Sequence, residues 1–103
     1  MIERIAILKL TPEHATPEGR AEIVERSLAT LGGLPGVSTL TAGVPADEAS
    51  AASWDVVITV RCASREDLDA YRANPTHRKF VEEFLAPRSV VRKAWSFEIR
   101  QAG

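Results

Sequence analysis

An α+β domain with a ferredoxin-like order of elements is what this sequence predicts, and three observations predict it. Apolar runs suited to strands recur at residues 2–10, 37–44, 53–62 and 90–99. Stretches with helical caps and helical apolar spacing lie between the first and second runs and again between the third and fourth. The order is therefore strand, helix, strand, strand, helix pair, strand. That is two β-α-β units, which fold into a four-stranded antiparallel sheet with the helices on one face. At 103 residues the chain reads as one domain, 1–103.

The elements follow in order. Residues 2–10, Ile-Glu-Arg-Ile-Ala-Ile-Leu-Lys-Leu, read as a strand that stops at Thr11-Pro12. Thr16 caps a helix over 17–31, with Pro17 at its first position and Glu18 at its positive end. Gly32-Gly33 stops it, and Leu34-Pro35-Gly36 turns the chain into the second strand. Residues 45–52 are small and polar and read as a loop. The third run carries Trp54, Val56, Ile58 and Val60 on one side. Ser64-Arg-Glu-Asp67 is a variant capping box that opens a helix ending near Ala73. Asn74 precedes a proline, which pushes it out of helical ψ, and Asn-Pro is a good cap and first position for a new helix. That helix is expected to run to about Ala86, closed by Pro87.

Composition excludes several classes. Net charge is −1 with both signs interspersed, and no basic stripe appears, so nucleic acid is not an expected partner. No apolar run is long enough to span a membrane, and no charged-then-apolar leader opens the chain; the expected location is cytoplasmic. The single Cys62 permits neither an internal disulfide nor a Cys-based zinc site. His14 sits in a loop and is expected to face solvent, and no His/Asp/Glu cluster has metal spacing. No phosphate-binding glycine loop follows a strand. No cofactor and no metal are expected.

The helix junction carries the candidate chemistry. His77 falls in the first turn of the new helix, on the stripe with Phe80, Val81 and Phe84. Tyr71 lies three residues after Leu68 on the apolar face of the preceding helix. A Tyr and a His are thus aimed inward from both sides of one junction. Burial and the positive helix end both disfavour imidazolium, which leaves a neutral His able to accept a proton.

Apolar residues occur on both parities of the strands, including Ile5 and Ile7 against Ala6, Leu8 and Leu10. The helices can cover only one face, so a second copy is the expected cover for the other. Two sheets facing each other enclose a barrel, whose interior is the expected small-molecule chamber.

These residues resemble the stress-responsive dimeric α/β-barrel family known as Dabb. The resemblance covers nearly the whole chain. It rests on the opening strand Met1 to Leu10, the Leu34-Pro-Gly-Val37 turn, Gly43, the Trp54-Asp-Val-Val strand and Tyr71-x-x-x-Pro75-x-His77 with Phe80-Val81 behind it. It implies a homodimer whose sheets build the barrel. In the family's plant polyketide cyclases a Tyr and a His of this motif act on the substrate, and Tyr71 and His77 match them. Three departures separate this chain from that pattern. Arg4 stands where the cyclases have a first-strand His, Asn74 where the family has the first His of His-Pro-x-His, and Ser96 where an acidic residue is common. Arg4 cannot serve as a base at neutral pH but can anchor a carboxylate or a developing enolate.

Three functions follow as expectations. The first is binding of a small acidic or aromatic molecule that pairs with Arg4 and stacks on Trp54 or Trp95. The second is cofactor-free acid–base chemistry beside a carbonyl, with His77 as base and Tyr71 as hydrogen-bond donor. The third is a structural homodimer with a filled barrel.

Overall fold

The computed structural model describes residues 1–102. Four strands, β1 (Ile2–Leu10), β2 (Thr39–Gly43), β3 (Val56–Cys62) and β4 (Ser89–Glu98), form one antiparallel sheet in the order β2-β3-β1-β4. This is the predicted ferredoxin-like α+β arrangement, with the first and third strands central. Helix α1 (Pro17–Leu31) starts where Thr16 Oγ1 accepts the Gly19 N–H at 3.0 Å, and Pro17 occupies its first position. Helix α3 (Arg65–Ala73) is capped by Ser64, whose Oγ accepts the Asp67 N–H at 3.2 Å. Two glycines are demanded by geometry. Gly36 takes φ +88° in the turn closed by Val37 N–H on the Leu34 carbonyl, where an L side chain is strained. A Cβ on Gly19 would stand 2.0 Å from the His14 carbonyl oxygen.

Two segments depart from expectation. The 45–52 loop contains a short helix, α2 (Glu48–Ser53), opened by Asp47, whose Oδ1 accepts the Ser50 N–H at 2.8 Å. Its alanines favour helix, and it removes Ser53, Trp54 and Asp55 from the predicted third strand. The last helix, α4 (Pro75–Phe80), does not close at Pro87. It widens into a π turn over Val81–Leu85 and continues as α5 (Ala86–Arg88). The wide turn is where the chain accommodates Pro87, which lacks an N–H and would crowd a carbonyl of a regular helix.

The core lies between the sheet and the helices. Even-numbered residues of β1 and β3, such as Leu8, Val56, Ile58, Val60 and Cys62, meet Ile23, Leu31, Leu68, Tyr71, Phe84 and Leu85. The opposite face has no cover among the described residues: Val57, Trp95 and Phe97 are exposed there. In the register Ile5 stands opposite Trp95 and Ile7 opposite Val57, so these residues share that face.

Candidate functional site

The corner between α3 and α4 is built by Asn74. Its ψ of 126° breaks the helix, and its Oδ1 accepts the Thr76 N–H at 2.8 Å to start the next one. The corner folds His77 back onto Tyr71, with ring centroids 4.4 Å apart and planes tilted by 45°. Both rings line a cavity of about 330 Å³ between the helices and the β1–β4 half of the sheet. Ala6 and Ala94, opposite each other in the register, are small enough to leave that space open. Leu31, Ile58, Val81 and Leu85 supply its apolar wall, the last two from the ends of the π turn.

Arg4 enters the same cavity from β1. Its Nη1 donates to Ser96 Oγ at 3.1 Å across the strands. It forms no ion pair among the described residues. Three of the five sequence-predicted site residues, Arg4, Tyr71 and His77, therefore converge. They meet inside one protomer, on the helix side of the sheet, rather than between two facing sheets. Trp95 stands on the opposite, uncovered face, opposite Ile5. Trp54 follows α2 and lines a broader depression of about 520 Å³ with Ile7, Val44 and Val57. That depression is the larger of the two but carries no ionisable side chain, whereas Arg4, Tyr71 and His77 gather in the smaller cavity.

The electrostatics of the cavity assign each group a form. Burial lowers the His77 pKa; the charges of Arg4 and Arg72 lower it further, and the Arg72 carbonyl opposes them. Its Nδ1 is buried without a hydrogen-bond partner. Burial pushes Tyr71 up to about 12, against the pull of Arg4, so its hydroxyl stays a donor at neutral pH. Burial and then Arg72 lower the Arg4 pKa while Tyr71 opposes them, yet a guanidinium remains charged at neutral pH. Arg4, His77 and Tyr71 thus offer a cation, a neutral imidazole and a phenolic donor. No group of three or more potential metal ligands occurs among the described residues.

Sequence reading missed one cation of this cavity. Arg92 lies opposite Leu8 in the register and lines the cavity from β4. Reading β4 by its aromatic parity drew attention to Trp95 and Phe97; the other parity, with Arg92, Ala94 and Ser96, is the one that faces the helices. Only the pairing of β4 with β1 reveals this.

A model of the Stress responsive A/B Barrel Domain family matches residues 2–98. No curated protein matches the chain by sequence. Among solved structures, an Arabidopsis thaliana protein superposes with a TM-score of 0.81 at 13% identity, over 100% of this chain and 99% of that one. A dimeric ferredoxin-like protein of unknown function from Thermobifida fusca does so at 0.76 and 23%, over 95% and 90%. The hydroxynitrile lyase of Passiflora edulis does so at 0.77 and 12%, over 99% and 95%. At these identities the likeness is one of fold.

Proposed function

We propose that this chain, which belongs to the Stress responsive A/B Barrel Domain family, is a homodimer that binds a small acidic or aromatic molecule in the cavity beneath α3 and α4. One observation carries the reading. The Arg4 guanidinium is half-buried at the cavity wall with no carboxylate partner among the described residues, beside a buried His77 Nδ1 that also lacks a partner. An unpaired charge withdrawn from water is costly, and a ligand anion is the group that would offset that cost. Dimeric relatives and the uncovered sheet face support the pairing of two copies.

A thermal-shift titration with benzoate and octanoate tests the binding. At a hundredfold excess over Kd, binding adds about 2.7 kcal/mol, which is roughly 10–20 °C in Tm for a domain of this size. Arg4→Met is expected to abolish the shift while leaving the fold intact, because replacing an unpaired buried charge by an apolar chain of similar volume is close to neutral. Absence of any shift in the native chain would remove this reading.

The contact between Tyr71 and His77 favours turnover as a second reading. Neutral His77 would take a proton from the carbon beside a ligand carbonyl. The electron pair would move onto the carbonyl oxygen, which Tyr71 and Arg4 would stabilise as an enolate. Attack of that enolate on a second carbonyl would break its C=O π bond, and the resulting alkoxide would take the proton back from His77 to complete a cyclisation. Hydrogen–deuterium exchange at the ligand's α-carbon, followed by NMR, tests the first step. Only neutral imidazole is a base, and the His77 pKa lies below its ordinary 6.5. Exchange is therefore expected to be flat above pH 6.5, to fall with acidification below it, and to vanish in His77→Ala. Exchange that persists in His77→Ala would exclude His77 as the base.

A further inference from the structure

Building on the anion-binding reading above, we infer that the ligand is an elongated dianion, with one negative group held by Arg4 and the other by Arg92 across a short apolar body. Arg4 pairs in register with Ser96 and Leu8 with Arg92, so the two arginines stand at positions four residues apart along the β1–β4 ladder. At about 3.3 Å per residue that is roughly 13 Å between their backbones. The step between them is Ala6 opposite Ala94, the small-residue floor of the cavity, under the apolar side chains of Leu31, Ile58 and Leu85. The cavity is thus apolar in its middle and positive at both ends.

Both ends are constructed alike. Arg4 Nη1 donates to Ser96 Oγ at 3.1 Å, and Arg92 Nη1 donates to Ser89 Oγ at 3.1 Å. The Ser89 hydroxyl in turn donates to the Leu85 carbonyl at 2.8 Å. Each serine orients its guanidinium through one nitrogen, which leaves the remaining N–H donors of the fork for a carboxylate. Neither arginine forms an ion pair among the described residues, and no Asp or Glu lines the cavity. Lys93, opposite Ile7, also borders the cavity, next to Arg92, although strand alternation directs its side chain toward the other face. Arg92 is exposed, so a monoanion seated on Arg4 would leave its free N–H donors to water, whereas a dianion engages both guanidinium groups.

Isothermal titration of the full chain with octanoate and with suberate, which share a carbon skeleton and differ by one carboxylate, tests this. Suberate is expected to bind at least about tenfold more tightly, the gain of one further charge-assisted pair. Arg92→Met is expected to erase that preference, and Arg4→Met to weaken both acids. If octanoate binds through Arg4 as tightly as suberate, or if Arg92→Met retains the preference, the second pole is wrong while the binding site stands. If neither acid binds, the underlying site is wrong as well.

Discussion

Asp55→Ala is expected to destabilise the fold by about 3–5 kcal/mol, the cost of removing one partner of a buried ion pair. Asp55 is 5% exposed and stands immediately before β3. Its Oδ1 accepts from Arg20 Nε at 3.1 Å and Nη2 at 2.7 Å, two donors of one guanidinium from α1 on a single oxygen. Its Oδ2 accepts the Leu10 N–H at 2.7 Å, where the β1–β4 register shifts. The Asp55 N–H donates to the Leu8 carbonyl at 2.8 Å. One carboxylate therefore ties the start of β3, the end of β1 and the first helix together. Alanine would leave a buried backbone donor unsatisfied and a guanidinium without its counter-charge. The Arg20 side chain retains 23% exposure and can turn toward water, which places the loss at the lower end of that range. Arg20→Met should also be costly, since it strands the less exposed carboxylate with a single amide donor. Urea unfolding at fixed protomer concentration reads both variants, the fixed concentration being needed because pairing of two copies would add to apparent stability. A loss below about 1 kcal/mol would mean that the pair behaves as an exposed one.

This node was not legible in the sequence, and the reason is physical. An aspartate at the head of an apolar run reads as a solvent-facing alternation, and its partner lies 35 residues away on another element. Caps were legible because they are local: Thr16, Ser64 and Asn74 each serve a helix that starts at the next residue. The Asn74–Pro75 break was legible for the same reason, and with it the meeting of Tyr71 and His77. Arg4 was singled out from its departure from the family pattern. Which face of the sheet it occupies follows only from alternation against buried neighbours such as Leu8. Arg92 needed the β1–β4 register, which no periodicity within β4 discloses. Trp54 and Trp95 were grouped with Arg4 because large aromatics suit a ligand wall. The structure separates them because α2 takes Trp54 out of the strand and pairing turns Trp95 to the uncovered face.

That uncovered face sets the second large effect: Trp95→Glu is expected to convert a dimer of this chain into a monomer. Trp95 is 47% exposed and Phe97 52%, values that are high for large aromatics on one continuous sheet surface with Ile5, Ile7 and Val57. One end of the surface is marked by the cross-strand pair Arg61 Nε–Glu3 Oε1 at 3.0 Å, and Lys9 and Lys93 mark the other. The pattern is an apolar centre with a charged rim, the anatomy of a protein interface. A two-fold axis would place the aromatics of both copies near one another, so each substitution acts twice. Losing a central tryptophan contact costs 2 kcal/mol or more, and burying a carboxylate in its place adds to that. The dimer Kd is therefore expected to rise by about a hundredfold or more. Sedimentation velocity at micromolar concentration reads the result: a species of twice 11.2 kDa for the native chain, and 11.2 kDa for Trp95→Glu. Circular dichroism of the variant should retain the native spectrum, because Trp95 contributes nothing to the buried core. The cavity proposed for the ligand lies on the other side of the sheet and is lined by one protomer, so the monomeric variant should still show the Arg4-dependent thermal shift. A native chain that sediments at 11.2 kDa would show that this face is not paired, and a Trp95→Glu dimer would show that the copies meet elsewhere.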